Sequence, residues 1–348
     1  MARYTHDLII IGAGAAGLTA ASGSAQLGLK VALVEKAHMG GDCLYYGCVP
    51  SKSLLKTAGI RNAAAEAGRF GLGQARPAEV DMERVNERIQ GVIQSIAYHD
   101  RPERFQKLGA EVHLGNPRFR SPHEVEVDDG TVMSAPKILL STGSGPAALP
   151  LPGLSEAGYL TNIDVFSLKS LPKSLFVIGG GPIGVEMAQA FARLGTRVTL
   201  ADIAPHLLPR EDADMAALVQ QRLEQEGVQL RLGAKISGIT AGGAGRRITL
   251  STASGEQETV ETEEILVAAG RKGNTDGLDL EKAGVTVERS FIPVNDRLQT
   301  SQKHIYAAGD INGRFLFTHV AGAEGSLFVR RAVLHAGGVS VPLSIKLL

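Results

Sequence analysis

Short apolar runs recur along this chain, each followed by glycines and then by a longer stretch with helical spacing. Residues 7–11, Asp-Leu-Ile-Ile-Ile, are the first such run and predict a strand buried on both faces. Gly12-Ala13-Gly14-Ala15-Ala16-Gly17 follows and opens a small-residue helix to about Leu27. Val31-Ala32-Leu33-Val34 predict a second strand, ending on Glu35. From residue 54 to about 109 the period turns helical. Val85, Ile89, Val92, Ile93 and Ile96 fall on one face, and Glu83, Arg84, Glu87 and Arg88 make its solvated side. Short strands are predicted at Glu111–Leu114, Glu124–Val127 and Ile138–Leu140, with Asp129-Gly130 as a hairpin turn. Pro146, Pro150, Pro152 and Gly153 then mark a boundary.

Beyond that boundary the pattern repeats. Ser174–Ile178 reads as a strand, Gly179-Gly180-Gly181-Pro182-Ile183-Gly184 as a glycine turn, and Val185–Leu194 as its helix. Arg197–Leu200 is the next strand, with Asp202 after it. From the first glycine to the acid is 23 positions in both copies. Strand, glycine turn, helix, strand and acid together make a dinucleotide-binding fingerprint. The glycines permit a tight turn and close approach of a pyrophosphate to a helix N-terminus, and the acid can bond a ribose hydroxyl. Two copies at equal spacing imply two dinucleotide sites. An acid at position 202 favours the free 2′-hydroxyl of NAD over the 2′-phosphate of NADP. No arginine lies among Ile203-Ala204-Pro205-His206, and Arg210 is the nearest one downstream. Residues 211–226 then predict an amphipathic helix, and 228–267 predict strands with a Gly-rich hairpin at 242–245.

Composition narrows the class. The 348 residues are enough for two domains, 44% of them are hydrophobic, and 42 are Gly, which suits an α/β protein with many tight turns. Formal net charge is zero and no long basic run occurs, so neither nucleic acid nor a membrane surface is an expected partner. The apolar stretch 8–21 contains three glycines and reads as strand, turn and helix rather than as a leader. A cytoplasmic setting is the default expectation, and there a cysteine pair is more often catalytic than structural.

The only cysteines, Cys43 and Cys48, lie within Gly40–Lys52, just after the first fingerprint. An ideal helix would hold such a pair roughly 8.7 Å apart at Cα, whereas a disulfide needs about 4.4–6.8 Å. A bridge would therefore need a distorted turn, for which Gly47 gives freedom, and would be reducible rather than structural. The alternatives are two unbridged thiols, or half of a metal site with His38 as the nearby ligand. We expect redox use and no metal.

Residues 40–52, GGDCLYYGCVPSK, resemble the redox-active segment of the pyridine nucleotide-disulfide oxidoreductases. That flavoprotein family includes dihydrolipoamide dehydrogenase, glutathione reductase and mercuric reductase. Its pattern GG-x-C-x4-C-x-P-x-K is complete here, and the wording is most similar to the mercuric reductase and lipoamide dehydrogenase branch. Three further segments resemble the family: Ser141-Thr142-Gly143-Ser144, which closes over the flavin dinucleotide; Leu266–Arg271, the closing strand of the second domain; and His304–Asp310, whose Asp310 bonds the ribityl chain of FAD. Phe317-Thr318-His319 starts a helix that faces the flavin ring in the family. The spacing from His319 to Glu324 imitates an acid/base pair, but on a helix five residues turn two side chains about 140° apart.

The resemblance implies a relay: hydride passes from nicotinamide to flavin, the flavin reduces a Cys43–Cys48 disulfide, and the dithiol reduces an external acceptor. Cys48 would be the flavin-side thiol and Cys43 the exchange thiol. Lys52 would sit near the flavin with Glu186 as its partner. The implied FAD contacts are Gly12, Gly14, Ala15, Ala16, Gly17, Glu35, Lys36, Gly41, Asp42, Lys52, Thr142, Gly143, Gly309, Asp310, Phe317, Thr318 and His319. Those for the nicotinamide dinucleotide are Gly179, Gly181, Pro182, Ile183, Gly184, Asp202, Ala269, Gly270 and Arg271. The usual Pro after Arg271 is Gly273 here.

The expected architecture is α/β, with two doubly wound Rossmann-like domains of three layers (ββα), one inserted in the other. The FAD-binding domain would span 1–150 and 276–348, and the NAD(P)-binding domain 151–275. The expected function is FAD-dependent oxidoreduction of a small disulfide or of Hg(II). Glutathione reductase is less expected, because its branch usually has Tyr where Pro182 stands and prefers NADPH. Family members continue into a C-terminal domain that forms the dimer interface and supplies a His-Glu pair, and in mercuric reductases a further Cys pair. The sequence ends at Leu348, where that domain would begin, and His335 has no acidic neighbour. The family homodimer is therefore in doubt, and a truncated or non-catalytic FAD/NAD-binding core is the alternative reading.

Overall fold

The structure, a computed structural model, describes residues 4–73, 79–242, 245–252 and 255–334. By contact the chain divides into two compact units. The first comprises residues 1–45, 94–145 and 271–348; the second, residues 46–93 and 146–270.

Strand β1 (Leu8–Ile11), helix α1 (Ala15–Gln26) and β2 (Val31–Glu35) form the first βαβ unit. Helices α2 (Gly41–Tyr45), α3 (Cys48–Glu66), α4 (Met82–Asp100) and α5 (Pro102–Lys107) follow. Next come β3 (Ala110–Leu114), β4 (Pro117–Ser121), β5 (Glu124–Val127), β6 (Val132–Ser134), β7 (Ile138–Leu140) and β8 (Ser144–Pro146). The second copy follows the short α6 (Leu154–Ala157). It is built from β9 (Ser174–Ile178), α7 (Pro182–Leu194), β10 (Arg197–Asp202), α8 (Ala213–Gln225) and β11 (Gln229–Leu232). After β12 (Lys235–Gly242), β13 (Gly245–Ser251), β14 (Gln257–Thr262) and β15 (Glu264–Val267) come β16 (Arg271–Gly273), β17 (Ile305–Ala307) and α9 (Thr318–Phe328).

In the first unit five parallel strands run in the order β17-β7-β1-β2-β3, with Ile9 opposite Ala32 on one side and Ile138 on the other. Every residue of β1 is buried, and the strand's alternation sends its side chains to two different layers. Leu8 and Ile10 pack with Ala16 and Ala20 of α1 and Phe328 of α9. Ile9 and Ile11 pack with Phe119, Val125 and Met133 of the antiparallel β4-β5-β6 sheet. The second unit repeats this plan. Its parallel sheet runs β11-β10-β9-β15, and Phe176 and Ile178 of β9 pack with Ile239, Ile248 and Leu250 of the antiparallel β12-β13-β14 sheet. Each unit is thus a parallel sheet with an antiparallel sheet on one face and helices on the other. A strand sandwiched in this way must be apolar throughout, which is why these runs were visible as continuous rather than alternating.

Several elements differ in extent from the sequence pattern. The helical region starts at Cys48, because Pro50 sits in the first turn of α3, where its missing N–H costs nothing. Ile96 is 38% exposed, so the buried stripe of α4 is Met82, Val85, Ile89 and Ile93. The strand expected through Arg271 ends at Val267, and Gly270 at φ +148° separates it from β16. Asp129-Gly130 does turn the chain between β5 and β6, with Gly130 at φ +86°. Gly243 and Ala244 of the Gly-rich hairpin, and His335, lie outside the described residues. Among the described residues no helix is long and apolar enough to cross a membrane.

Candidate active site

The two fingerprints form the same device. In the first, Gly12 adopts φ +100°, and a Cβ there would meet the Ser141 carbonyl oxygen at 2.4 Å. Gly17 lets α1 approach the turn, since its Cβ would lie 1.9 Å from the Gly12 carbonyl oxygen. Around Gly14, by contrast, a Cβ would meet nothing within 4 Å. Gly14 is the N-cap of α1 and gives the helix no side-chain cap, so the helix N-terminus at Ala15 and Ala16 opens onto free space. Glu35, 8% exposed, closes the turn: Oε2 accepts from the Ala13 amide at 2.7 Å and Oε1 from the Ala37 amide at 2.8 Å. Lys36 beside it is exposed.

The second copy matches position for position. Gly179 adopts φ +116° against the Ala268 carbonyl, Gly184 fits against the Gly179 carbonyl, and Gly181 has open space. Pro182 and Ile183 begin α7, which has no side-chain cap. Asp202 Oδ2 accepts from the Gly180 amide and Oδ1 from the Ala204 amide at 2.7 Å. In both copies the acid binds the amide 22 residues before it and the amide two residues after it. An uncapped helix N-terminus facing open space, with a carboxylate held beside it, fits a dinucleotide pyrophosphate and its ribose.

A polar cluster in the first unit accompanies its fingerprint. Asp310 follows Gly309, which adopts φ +79°, and accepts from the Ser144 hydroxyl at 2.7 Å. Burial pushes the Asp310 carboxyl above its ordinary range; the Ser144 hydroxyl and the Arg271 guanidinium oppose this, while Asp42 adds to it. Arg271 donates to the Ser144 hydroxyl and carbonyl, and to Asp42 Oδ2 at 2.9 Å. Thr142 and Gly143 are held by Asn274: its side-chain amide donates to the Thr142 carbonyl and its backbone amide to that of Gly143. Glu324, only 4% exposed, accepts from the Gly309 amide at 2.6 Å and the Asn312 side chain at 2.7 Å. Burial raises its carboxyl above the usual range, against those two hydrogen bonds. Sequence reasoning dismissed Glu324 as half of a false pair and missed its work as the clamp on the Gly309-Asp310 turn. Ser144, Asn274 and Asn312 were missed as well. The only signal for Glu324 was an acid placed among alanines and glycines on a helix with an apolar face.

The cysteines sit on two helices. Gly41, at φ +65°, packs against Gly14 and starts α2, in which Asp42 and the half-buried Cys43 follow. The helix breaks at Tyr46-Gly47, and Cys48, which is exposed, starts α3. The contact division falls between Tyr45 and Tyr46. Lys52, one turn after Cys48, binds both oxygens of Glu186 on α7 at 2.6 and 2.8 Å. Phe317 caps α9, and its ring stacks on His319 at 5.6 Å, both side chains exposed. Ala269 and Gly270 are exposed in the link between β15 and β16. Among the described residues no group of three or more His, Cys, Asp or Glu is arranged to hold a metal ion.

Comparison with known proteins identifies the family. The family model for pyridine nucleotide-disulphide oxidoreductases matches residues 6–325. A dihydrolipoyl dehydrogenase of Thermus scotoductus is 40% identical over 332 residues, covering 94% of this chain and 71% of that protein. A mercuric reductase of Lysinibacillus sphaericus is 34% identical over 341 residues, covering 98% of this chain and 61% of that protein. The solved structure of the HOCl-induced flavoprotein disulfide reductase RclA from Escherichia coli matches with a TM-score of 0.82 at 30% identity, over 96% of this chain and 72% of that one. The chain belongs to the pyridine nucleotide-disulphide oxidoreductase family. It is an FAD-dependent disulfide oxidoreductase of α/β fold.

Two substitutions separate packing from binding at the first fingerprint. Gly17→Ala drives a methyl into backbone and is expected to cost about 3 kcal/mol in unfolding free energy. Gly14→Ala is expected to cost less than about 1 kcal/mol yet to lose flavin, because it fills the open space at the helix end. Denaturant unfolding and flavin content per chain read the two effects. Glu324→Ala leaves two buried donors unpaired and is expected to cost about 2–4 kcal/mol. Glu324→Gln keeps an acceptor and costs less. Because burial raises both carboxyls, their protonated forms are favoured in the folded state. Stability therefore declines as pH rises from the ordinary carboxylate range through the raised one. Glu324→Gln is expected to flatten that decline in melts taken between about pH 4 and pH 7.

Proposed function

We propose that this chain passes electron pairs from a reduced nicotinamide dinucleotide to an external acceptor through Cys43 and Cys48. The observation that carries this reading is the pair of closed fingerprints with open helix ends, the first of them packed through Gly14 against the helix that holds Cys43. FAD, when bound, supplies a two-electron carrier between nicotinamide and thiols. We assign its site to residues 1–150 and 276–348, with Gly12, Gly14, Gly17, Glu35, Thr142, Gly143 and Asp310 among the holding residues. The nicotinamide dinucleotide is assigned to 151–275, at Gly179, Gly181, Gly184 and Asp202.

Asp202 supports NAD over NADP. Its carboxylate is fixed by two amides beside the fingerprint turn, where it would accept from a ribose hydroxyl and repel a 2′-phosphate. Cys48 begins α3, and Lys52 stands one turn further along the same helix; both the helix end and the ammonium favour a thiolate there. Glu186 anchors Lys52. Cys43 is the exchange thiol. Its thiolate attacks one sulfur of an acceptor disulfide and the other sulfur leaves, taking a proton. The Cys48 thiolate then closes the Cys43–Cys48 bond and expels the second acceptor thiol. Two electrons and two protons pass to the acceptor. Hg(II), the other acceptor class, would take the same electron pair while held between two thiolates. A cytoplasmic setting suits a reducible cysteine pair.

The reading is tested by anaerobic absorbance titration of the flavin-loaded protein with NADH and with NADPH. Flavin bleaching followed by a long-wavelength thiolate-to-flavin charge-transfer band is expected, with NADH effective at least about tenfold lower than NADPH. A flavin that stays oxidised would overturn the assignment. Cys43→Ser is expected to keep flavin reduction and lose acceptor reduction. A thiol count should rise by two per chain on reduction in the wild type and not in this variant.

A further inference from the structure

Arg271 is the most heavily committed cation of the first unit. Its side chain is 12% exposed and makes three hydrogen bonds: Nε to the Ser144 hydroxyl at 2.7 Å, Nη2 to the Ser144 carbonyl at 2.8 Å, and Nη2 to Asp42 Oδ2 at 2.9 Å. Nε also stands 3.7 Å from Asp310 Oδ2. One guanidinium therefore joins the Gly309-Asp310 turn to the helix that carries Cys43. Asp42 immediately precedes Cys43 on that five-residue helix, so charge on the pair lies within a few ångström of the thiol-bearing residue. Among the described residues, other charged or titratable groups near this turn include Asp100, whose carboxylate lies beside Gly40, His38, whose ring packs on Tyr45 at 5.0 Å, Asp310, reached through Ser144, and the Cys48 thiol five positions along the chain.

We propose that Asp42 is a positioning residue for the exchange thiol, and that the Asp42–Arg271 ion pair sets how readily Cys43 ionises. The proposal rests on the reading of Cys43 as a redox thiol and adds a control to it. A lone carboxylate next to a thiol disfavours the thiolate, and a lone guanidinium favours it. Paired at 2.9 Å, the two charges oppose each other's effect on a neighbouring thiol. The arrangement lets an acid stand beside a thiol that must ionise, while the same acid tethers the redox helix to the cofactor-side cluster.

Opposite signs make the test. Flavin-loaded protein is fully reduced with dithiothreitol without oxygen and alkylated with iodoacetamide across a pH series. Label on the Cys43 peptide is followed by mass. Asp42→Asn leaves Arg271 without its counter-charge and is expected to lower the midpoint of the pH–rate curve by about one unit. Arg271→Gln is expected to raise it by about as much, and the double variant to return it to within a few tenths of a unit of wild type. A role in packing alone would move both single variants in the same direction, or neither, and either result overturns the proposal. Asp42→Asn preserves shape and carries the test by itself, so an unmoved midpoint there overturns it even if Arg271→Gln fails to fold. The alkylation reads reduced thiol and is independent of whether the oxidised pair forms, which the thiol count decides.

Discussion

A hydrogen bond from a backbone amide to a strand-end carboxylate governs each half of this molecule. Glu35 takes the Ala13 amide and Asp202 takes the Gly180 amide, each in the tightest part of its glycine turn. A hydrogen bond to a charged partner is worth about 1.5–3 kcal/mol, more than a neutral one. It also removes a donor that would otherwise be stranded where β-strand gives way to helix. With the turn fixed, the helix N-terminus can face outward with no cap of its own. An uncapped helix N-terminus favours an anion through its backbone amides and dipole rather than through any basic side chain. No basic side chain is part of either turn, in keeping with a chain of zero net charge.

The polar cluster of the first unit follows a different logic. Asp310 and Glu324 are acids in surroundings that resist their ionisation, and each is held by directed donors. Glu324 does not reach outward; it braces the glycine that turns the chain into Asp310. Arg271 supplies the positive charge the cluster needs and extends its reach to Asp42. The turn that carries Asp310 is thus held rigid by Glu324 behind it.

Much of this was legible in the sequence. The strands β1, β2, β9 and β10 were plain because burial on both faces demands unbroken apolar runs. The fingerprints were plain because close backbone approach admits only glycine. Strands β4 and β6 escaped notice because Pro117–Ser121 and Val132–Ser134 mix polar and apolar residues at a sheet with one solvated face. Ile96 was assigned to the buried face because spacing gives a direction, not the length of the partner that covers it. Arg271 and Asp42 stand 229 positions apart, and nothing local in the chain announces their ion pair. The bracing role of Glu324 was hidden for a related reason: its partners, Gly309 and Asn312, are set by a turn whose geometry no spacing rule predicts.

The self-sufficiency of each fingerprint has an evolutionary consequence. Every contact that closes a copy, from glycine to acid, lies within a few dozen residues or on the strand next door, so each is a heritable cassette. The two helices that follow, AAGLTAASGSAQ and PIGVEMAQAFARL, share only the glycine third in each and the alanines seventh and eleventh. One copy closes with Glu and the other with Asp. A few substitutions within one copy could therefore change what it holds while the other copy keeps its shape. Each half of the molecule could thus change its ligand without rebuilding the other.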